Sequence, residues 1–185
     1  MKSNGFTLVE LLAVMAIFGI VVGWGAPQLF SLIEKYRADT TIRSLHQFIY
    51  AARLQAINSG TLTYICPTED LENCNSDWSN PLMVFSDFNH NRKVDTNQSE
   101  KVSRILNPLK DGETLTIRAS ANKKYLVFNS RGYTNGVFGN ITYCRDNDLH
   151  SARRITIRLG GRLRINRDDD QDGIVDSGSS MPVEC

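Results

Sequence analysis

The chain has 185 residues, 41% of them hydrophobic and 22% charged, with a formal net charge of +1. That length fits one ordinary globular domain plus an apolar N-terminus, and the near-neutral balance excludes binding to nucleic acid through bulk charge alone. Cys66, Cys74, Cys144 and Cys185 contain no CxxC pair and are too irregularly spaced for a zinc site.

The N-terminus reads MKSNGFTLVELLAVMAIFGIVVGWGAP. From Leu8 to Ala26 it is apolar except for Glu10, an acid whose burial in hydrocarbon would cost several kcal/mol and which therefore points to function. A secretory signal peptide does not fit, because Lys2 is the only basic residue, Gly5 precedes the apolar run and no A-x-A site follows it. About 20 residues span a bilayer, so residues 6–26 are expected to form a transmembrane helix.

Beyond Pro27 the pattern becomes amphipathic. Leu29, Ile33 and Tyr36, then Ile42, Leu45, Ile49, Ala52 and Ala56, form one apolar stripe, with Glu34, Lys35, Arg37, Asp39, Arg43 and Arg53 mostly off it. This predicts that the helix continues over 27–60 to a stop at Asn58-Ser59-Gly60. Pro27 removes a backbone donor and crowds the preceding turn, so a kink or local melting is expected there.

GFTLVELLAVMAIFGI resembles the class III signal of type IV pilins and pseudopilins. The resemblance implies that residues 1–5 are a leader cut by a prepilin peptidase between Gly5 and Phe6, leaving Phe6 N-methylated. Glu10 is then the fifth residue of the mature chain, and in this family it is thought to pair with the free N-terminal amine of a neighbouring subunit, which answers its burial cost. Pro27 falls where pilins commonly kink. The implied location is a single pass of the inner membrane before assembly, then the periplasm or exterior within a pilus.

Downstream of Gly60 short β-type runs take over: residues 62–66, 82–85, 115–118, 125–128, 140–143, 154–159 and 162–165. Strands gathered after one helix read as α+β, with antiparallel sheet packed on the helix stripe and residues 61–185 forming the globular domain. In an exported protein the even cysteine count suggests two disulfides, Cys66 with Cys74 and Cys144 with Cys185; in a cytosolic one, four thiols. TYICP leading to Cys74, LMVFSDFNHNRKVD followed by RIL, FNSRGYTNGVFGNITYC and ARRITIRLGGRLRI follow in order the pattern of the GspH/FimT group. Their cysteines resemble the FimT and FimU minor pilins of the type IV pilus more than the type II secretion pseudopilins. The partners so implied are other major and minor pilins.

Three segments carry candidate chemistry. RRITIRLGGRLRIN reads as a hairpin with a Leu159-Gly160-Gly161 loop, the register that pairs Arg158 with Arg162 and Thr156 with Arg164 and keeps both faces uniform. Arg154, Arg158, Arg162 and Arg164 then share one outward face, suited to phosphate contact with double-stranded DNA. FimT-like members carry a GRxR motif associated with DNA capture in natural transformation, and Gly161-Arg162-Leu163-Arg164 matches it; alternatively the arginines bond the acidic segment beyond. In DDDQDGIVD, Asp168, Asp170, Asp172 and Asp176, with the Ile174 carbonyl and Gly173, take EF-hand-type calcium-loop positions, although Ser179 replaces the bidentate Glu. A plain acidic loop is the alternative. In DFNHNRKVD, Asp87, Asn89, Asn91 and Asp95 alternate in the same way, but Arg92 stands where such a loop needs glycine and Lys93 brings charge, so a turn held by Asp and Asn side chains is expected, with a metal site as the alternative. His46, His90 and His150 are scattered, and no catalytic motif or required cofactor is expected. The sequence thus reads as a minor pilin active in pilus assembly, with DNA reception or type II secretion as alternatives.

Overall fold

A computed structural model describes residues 5, 7–178 and 181–185; the side chains of residues 25–28, 30 and 31 lie outside that description. Helix α1 runs Leu8–Ser59. Its last turn is closed by the Gly60 amide, which donates to the Ala56 carbonyl at 3.1 Å, while Gly60 itself takes the left-handed conformation at φ 69°. The Pro27 side chain, and with it the kink expected there, lies outside the described residues. The chain divides into two compact units, Met1–Arg37 and Ala38–Cys185.

In the first unit the described apolar side chains are exposed, among them Leu12, Phe18, Trp24 and Leu29. Tyr36 is 71% exposed and Ile33 is exposed too, so the predicted stripe is not buried here.

In the second unit the stripe is buried. Ala38, Ile42, Leu45, Ile49, Ala52 and Ala56 recur at steps of four and three and pack in one core with residues of both sheets. The first sheet has the order β3-β2-β1-β5, built from β1 (Leu62–Pro67), β2 (Leu82–Asp87), β3 (Val102–Leu106) and β5 (Leu126–Phe128). The second has the order β4-β6-β7-β8, built from β4 (Glu113–Ala119), β6 (Gly139–Arg145), β7 (Asp148–Ile157) and β8 (Leu163–Ile165). Every pairing is antiparallel. The α+β expectation of antiparallel sheet packed on the helix holds, and among the described residues the strands form two four-stranded sheets.

Pleat alternation explains the layers. Ile65, Val84 and Phe128 join the helix core, while Tyr64, Cys66, Met83, Phe85 and Val127 form a second cluster. A sheet buried on both faces is encoded as short continuous apolar runs, which is how LMVF and LTYIC read. In the second sheet Ile141, Ile155 and Ile157 join the helix core, and Cys144 and Ala152 make a third cluster with Val175 and Val183 of the C-terminal segment. That segment is pinned to the sheet by the Cys144–Cys185 disulfide, while Cys66–Cys74 closes a small loop after β1.

Two elements differ from expectation. Strand β3 had no counterpart among the predicted strands; its burial is low throughout, and Ile105 is exposed, so VSRIL carries little apolar alternation. Strand β7 starts six residues earlier than predicted, because Asp146 and Asn147 form a two-residue turn with φ of 49° and 55°. Positive φ at both positions is the tight hairpin geometry that Asp and Asn tolerate, so β6 continues directly into β7.

Candidate functional site

The first candidate is the N-terminal segment. Gly5 is exposed, and Phe6 lies outside the described residues. The Glu10 carboxylate accepts hydrogen bonds from the Thr7 amide and hydroxyl, both at 3.0 Å, and the Glu10 amide donates back to the Thr7 hydroxyl at 3.3 Å. This is a capping box, T-x-x-E, which satisfies otherwise orphaned amides at the start of α1. The sequence signal for Thr7 was present in TLVE but hidden by the apolar reading of the whole segment. Among the described residues no helix is long and apolar enough to cross a membrane; the expected span 6–26 includes Phe6 and the side chains of residues 25 and 26, which lie outside them.

The second candidate is the arginine hairpin. Thr156 faces Arg164 and Ile157 faces Leu163. The Arg158 amide donates to the Arg162 carbonyl at 3.0 Å, and the Gly161 amide donates to the Arg158 carbonyl at 2.8 Å. The loop is therefore Leu159-Gly160-Gly161. Gly161 sits at φ 74°, and a Cβ there would lie 1.9 Å from the Gly132 carbonyl oxygen, so no other residue fits. The neighbouring Arg53 holds the same carbonyl, its Nε donating at 2.9 Å, which docks the hairpin tip onto the helix and the 129–133 turn.

Arg158, Arg162 and Arg164 are exposed. Arg154 is not: it is 5% exposed, and its Nε donates to the Thr142 hydroxyl at 3.1 Å. The four-arginine face is thus corrected to three. Burial, and then the like charge of Arg118, pull the Arg154 guanidinium below the usual arginine range, with Glu184 opposing. Among the described residues no carboxylate pairs with Arg158 or Arg162, whereas Arg164 stands 3.8 Å from Asp169 in an exposed, weak ion pair. Arg118 on β4, missed in the sequence, reaches Glu184 with both terminal nitrogens at 3.0 Å.

The third candidate is the acidic loop. Asp168 accepts the Gln171 amide at 2.7 Å and the Gly173 amide at 2.9 Å, and Asp172 accepts the Ile174 amide at 2.7 Å. Asp176, 3% exposed, accepts the Asp169 amide at 2.8 Å. One carboxylate oxygen from each of Asp168, Asp170 and Asp176 lies within 4.8 Å of the others, a donor set of hard oxygens that fits a cation such as calcium. The carboxyl of Asp170 accepts the Asp172 amide, which favours its charged form, yet burial and the charges of Asp172 and Asp176 prevail and raise it. Ser179 lies outside the described residues.

The 87–100 loop is held from within, as the turn reading expects. Asp87, fully buried, accepts the amides of His90 at 2.6 Å and Arg92 at 2.9 Å. Glu100, 2% exposed and unmarked by sequence reasoning, accepts the Phe88 amide at 2.6 Å and the Asp95 amide at 3.0 Å.

The family model described as Type II transport protein GspH matches residues 41–161, and the prokaryotic N-terminal methylation motif matches residues 1–26. Two crystal forms of the type IV minor pilin FimU of Pseudomonas aeruginosa are similar in fold, with TM-scores of 0.54 and 0.51 at 14% identity. They cover 72% and 69% of this chain and 91% and 90% of their own chains. The minor pseudopilin EpsH of Vibrio cholerae scores 0.44 at 17% identity, covering 69% of this chain and 94% of its own. No curated protein matches the sequence. The fold is thus similar to that of the minor pilin FimU. The chain belongs to the GspH family and carries an N-terminal methylation motif.

Proposed function

We propose that the chain is a minor pilin of a type IV pilus. It is made as an inner-membrane precursor, cut between Gly5 and Phe6 by a prepilin peptidase, N-methylated at Phe6 and built into the filament beside other major and minor pilins. The observation that carries this reading is the methylation-motif match over residues 1–26, with Glu10 at the fifth position of the mature chain. The exposed apolar side chains of the first unit add support, because they need lipid or neighbouring helices to cover them. No cofactor and no catalytic step enters this role. Glu10→Ala should leave insertion and cleavage intact while sharply lowering recovery of the subunit in sheared pili; unchanged recovery rejects the assembly role of the acid. Loss of twitching on deletion of the gene favours the pilus, and loss of secretion favours the type II pseudopilus that the family description also admits.

A second reading concerns the same scaffold as a DNA receptor for transformation. It is supported by the exposed, carboxylate-free arginines 158 and 162 at the tip of a docked hairpin. Arg164 completes that surface, and Arg154 holds the sheet beneath it.

A further inference from the structure

The Cys66–Cys74 loop and the 87–100 loop leave opposite ends of the β1–β2 pair, where Cys66 faces Met83 and Leu62 faces Asp87, and meet beside Tyr125. Asn73 bridges to Lys93 between them. They enclose a cleft of about 290 Å³ whose walls include Cys74, Asn91, Arg92, Lys93 and the Tyr125 ring.

Arg92 is the unusual member. Its φ is 64°, a conformation that glycine adopts freely and that costs a side-chain-bearing residue on the order of 1 kcal/mol or more. The buried Asp87 carboxylate holds it there by accepting its amide at 2.9 Å. The consequence is a guanidinium laid over Tyr125, with its carbon 5.7 Å from the ring centroid. The Lys123 ammonium lies 5.9 Å from the same centroid. Among the described residues no carboxylate forms an ion pair with Arg92, Lys93 or Lys123. The amides within the walls are already committed: the Asn91 side chain accepts the Lys93 amide at 2.8 Å and donates to Asp95 at 2.6 Å. What the cleft leaves for a ligand is two cations, Arg92 and Lys93, and an aromatic ring, with Lys123 near that ring.

We propose that this cleft binds a phosphate group of a nucleotide or nucleic-acid strand. A guanidinium fork takes two phosphate oxygens at once, the Lys93 ammonium supplies point charge, and the ring with its overlying guanidinium offers a platform beside the phosphate. The volume lies at the lower end of ligand pockets, which suits a single unit rather than a long segment. A loop that placed glycine at position 92 would fold with less strain, and it would lack the group that does the binding. The site is independent of the arginine hairpin.

The test uses the full chain in detergent micelles, titrated calorimetrically with inorganic phosphate and with a short single-stranded oligothymidylate. At least one should bind, and tighter binding of the oligothymidylate assigns the phosphate to a strand. Arg92→Gly should weaken binding by about tenfold or more, as loss of a bidentate charged contact does. Its melting temperature should be unchanged or higher, because glycine is relaxed at that φ. Arg92→Gln, which keeps the backbone strain, should lose binding equally, and the Arg162→Gln, Arg164→Gln double variant should retain the phosphate site. The proposal is overturned if neither probe binds, if Arg92→Gly binds as the parent does, or if Arg92→Gly only lowers the melting temperature.

Discussion

Glu10 has a local role before it has any partner in a filament, since its carboxylate takes the amide and hydroxyl of Thr7 and starts the helix. The two roles separate by mutation. Thr7→Ala removes the cap but leaves the acid, and N-cap loss costs about 1 kcal/mol of local helix stability. Thr7→Ala should therefore fray the first turn, seen as faster amide exchange there, while recovery of the subunit in pili stays close to that of the parent. If Thr7→Ala and Glu10→Ala reduce recovery equally, the acid acts through the cap alone. Arg154 shows the opposite case. Its spacing placed it with the exposed arginines, but side-chain alternation says only which face a residue is on. What surrounds a residue on that face is set by positions far away in the chain, here Arg118 and its partner Glu184, 66 positions apart, whose charges both act on Arg154.

At the scale of the element, the hairpin was legible because its register is fixed by uniform faces, and a one-residue slip would mix Ile with Arg on both. Replacing both Arg162 and Arg164 with Gln should strongly weaken retardation of double-stranded DNA at low salt without changing the melting temperature. In the parent, retardation should fall steeply as salt rises, because the contact is to phosphates. A parent that never retards DNA removes the receptor reading. The acidic loop was legible as a spacing of oxygens, but its sequence does not say whether those oxygens serve a cation or only their own amides. Calcium added to the protein should release heat and raise the melting temperature if the loop takes the ion, and Asp168→Asn should cancel both. Absence of heat and of stabilisation assigns the loop to strapping the C-terminal segment. Strand β3 was not legible at all, since an exposed edge strand such as Val102–Leu106 has little apolar pattern to read.

At the scale of the whole molecule, one helix serves two environments, and the change comes at Arg37–Ala38. The stripe pattern ran straight through that point, because periodicity reports that a face is apolar and is silent on what meets it. The difference should appear in stability. Ile49→Ala, at a fully buried position between the sheets, should cost about 2–5 kcal/mol in denaturant unfolding. Leu29→Ala, on the exposed stretch, should stay within about 0.5 kcal/mol. Equal effects would mean that the apolar face before Ala38 is packed as tightly as the face after it.

The burial of Ala38, Ile42, Leu45, Ile49, Ala52 and Ala56 in the core has a practical corollary for anyone cutting the chain. The composition suggests dividing it at Gly60, where the helix ends and the strands begin. A fragment that starts there would lack its central layer, leaving the inner faces of both sheets bare and sticky in water. The smallest piece able to stand alone keeps the helix from Ala38 onward, so a protease that nicks between Ala38 and Gly60 would destroy the β-rich body rather than release it.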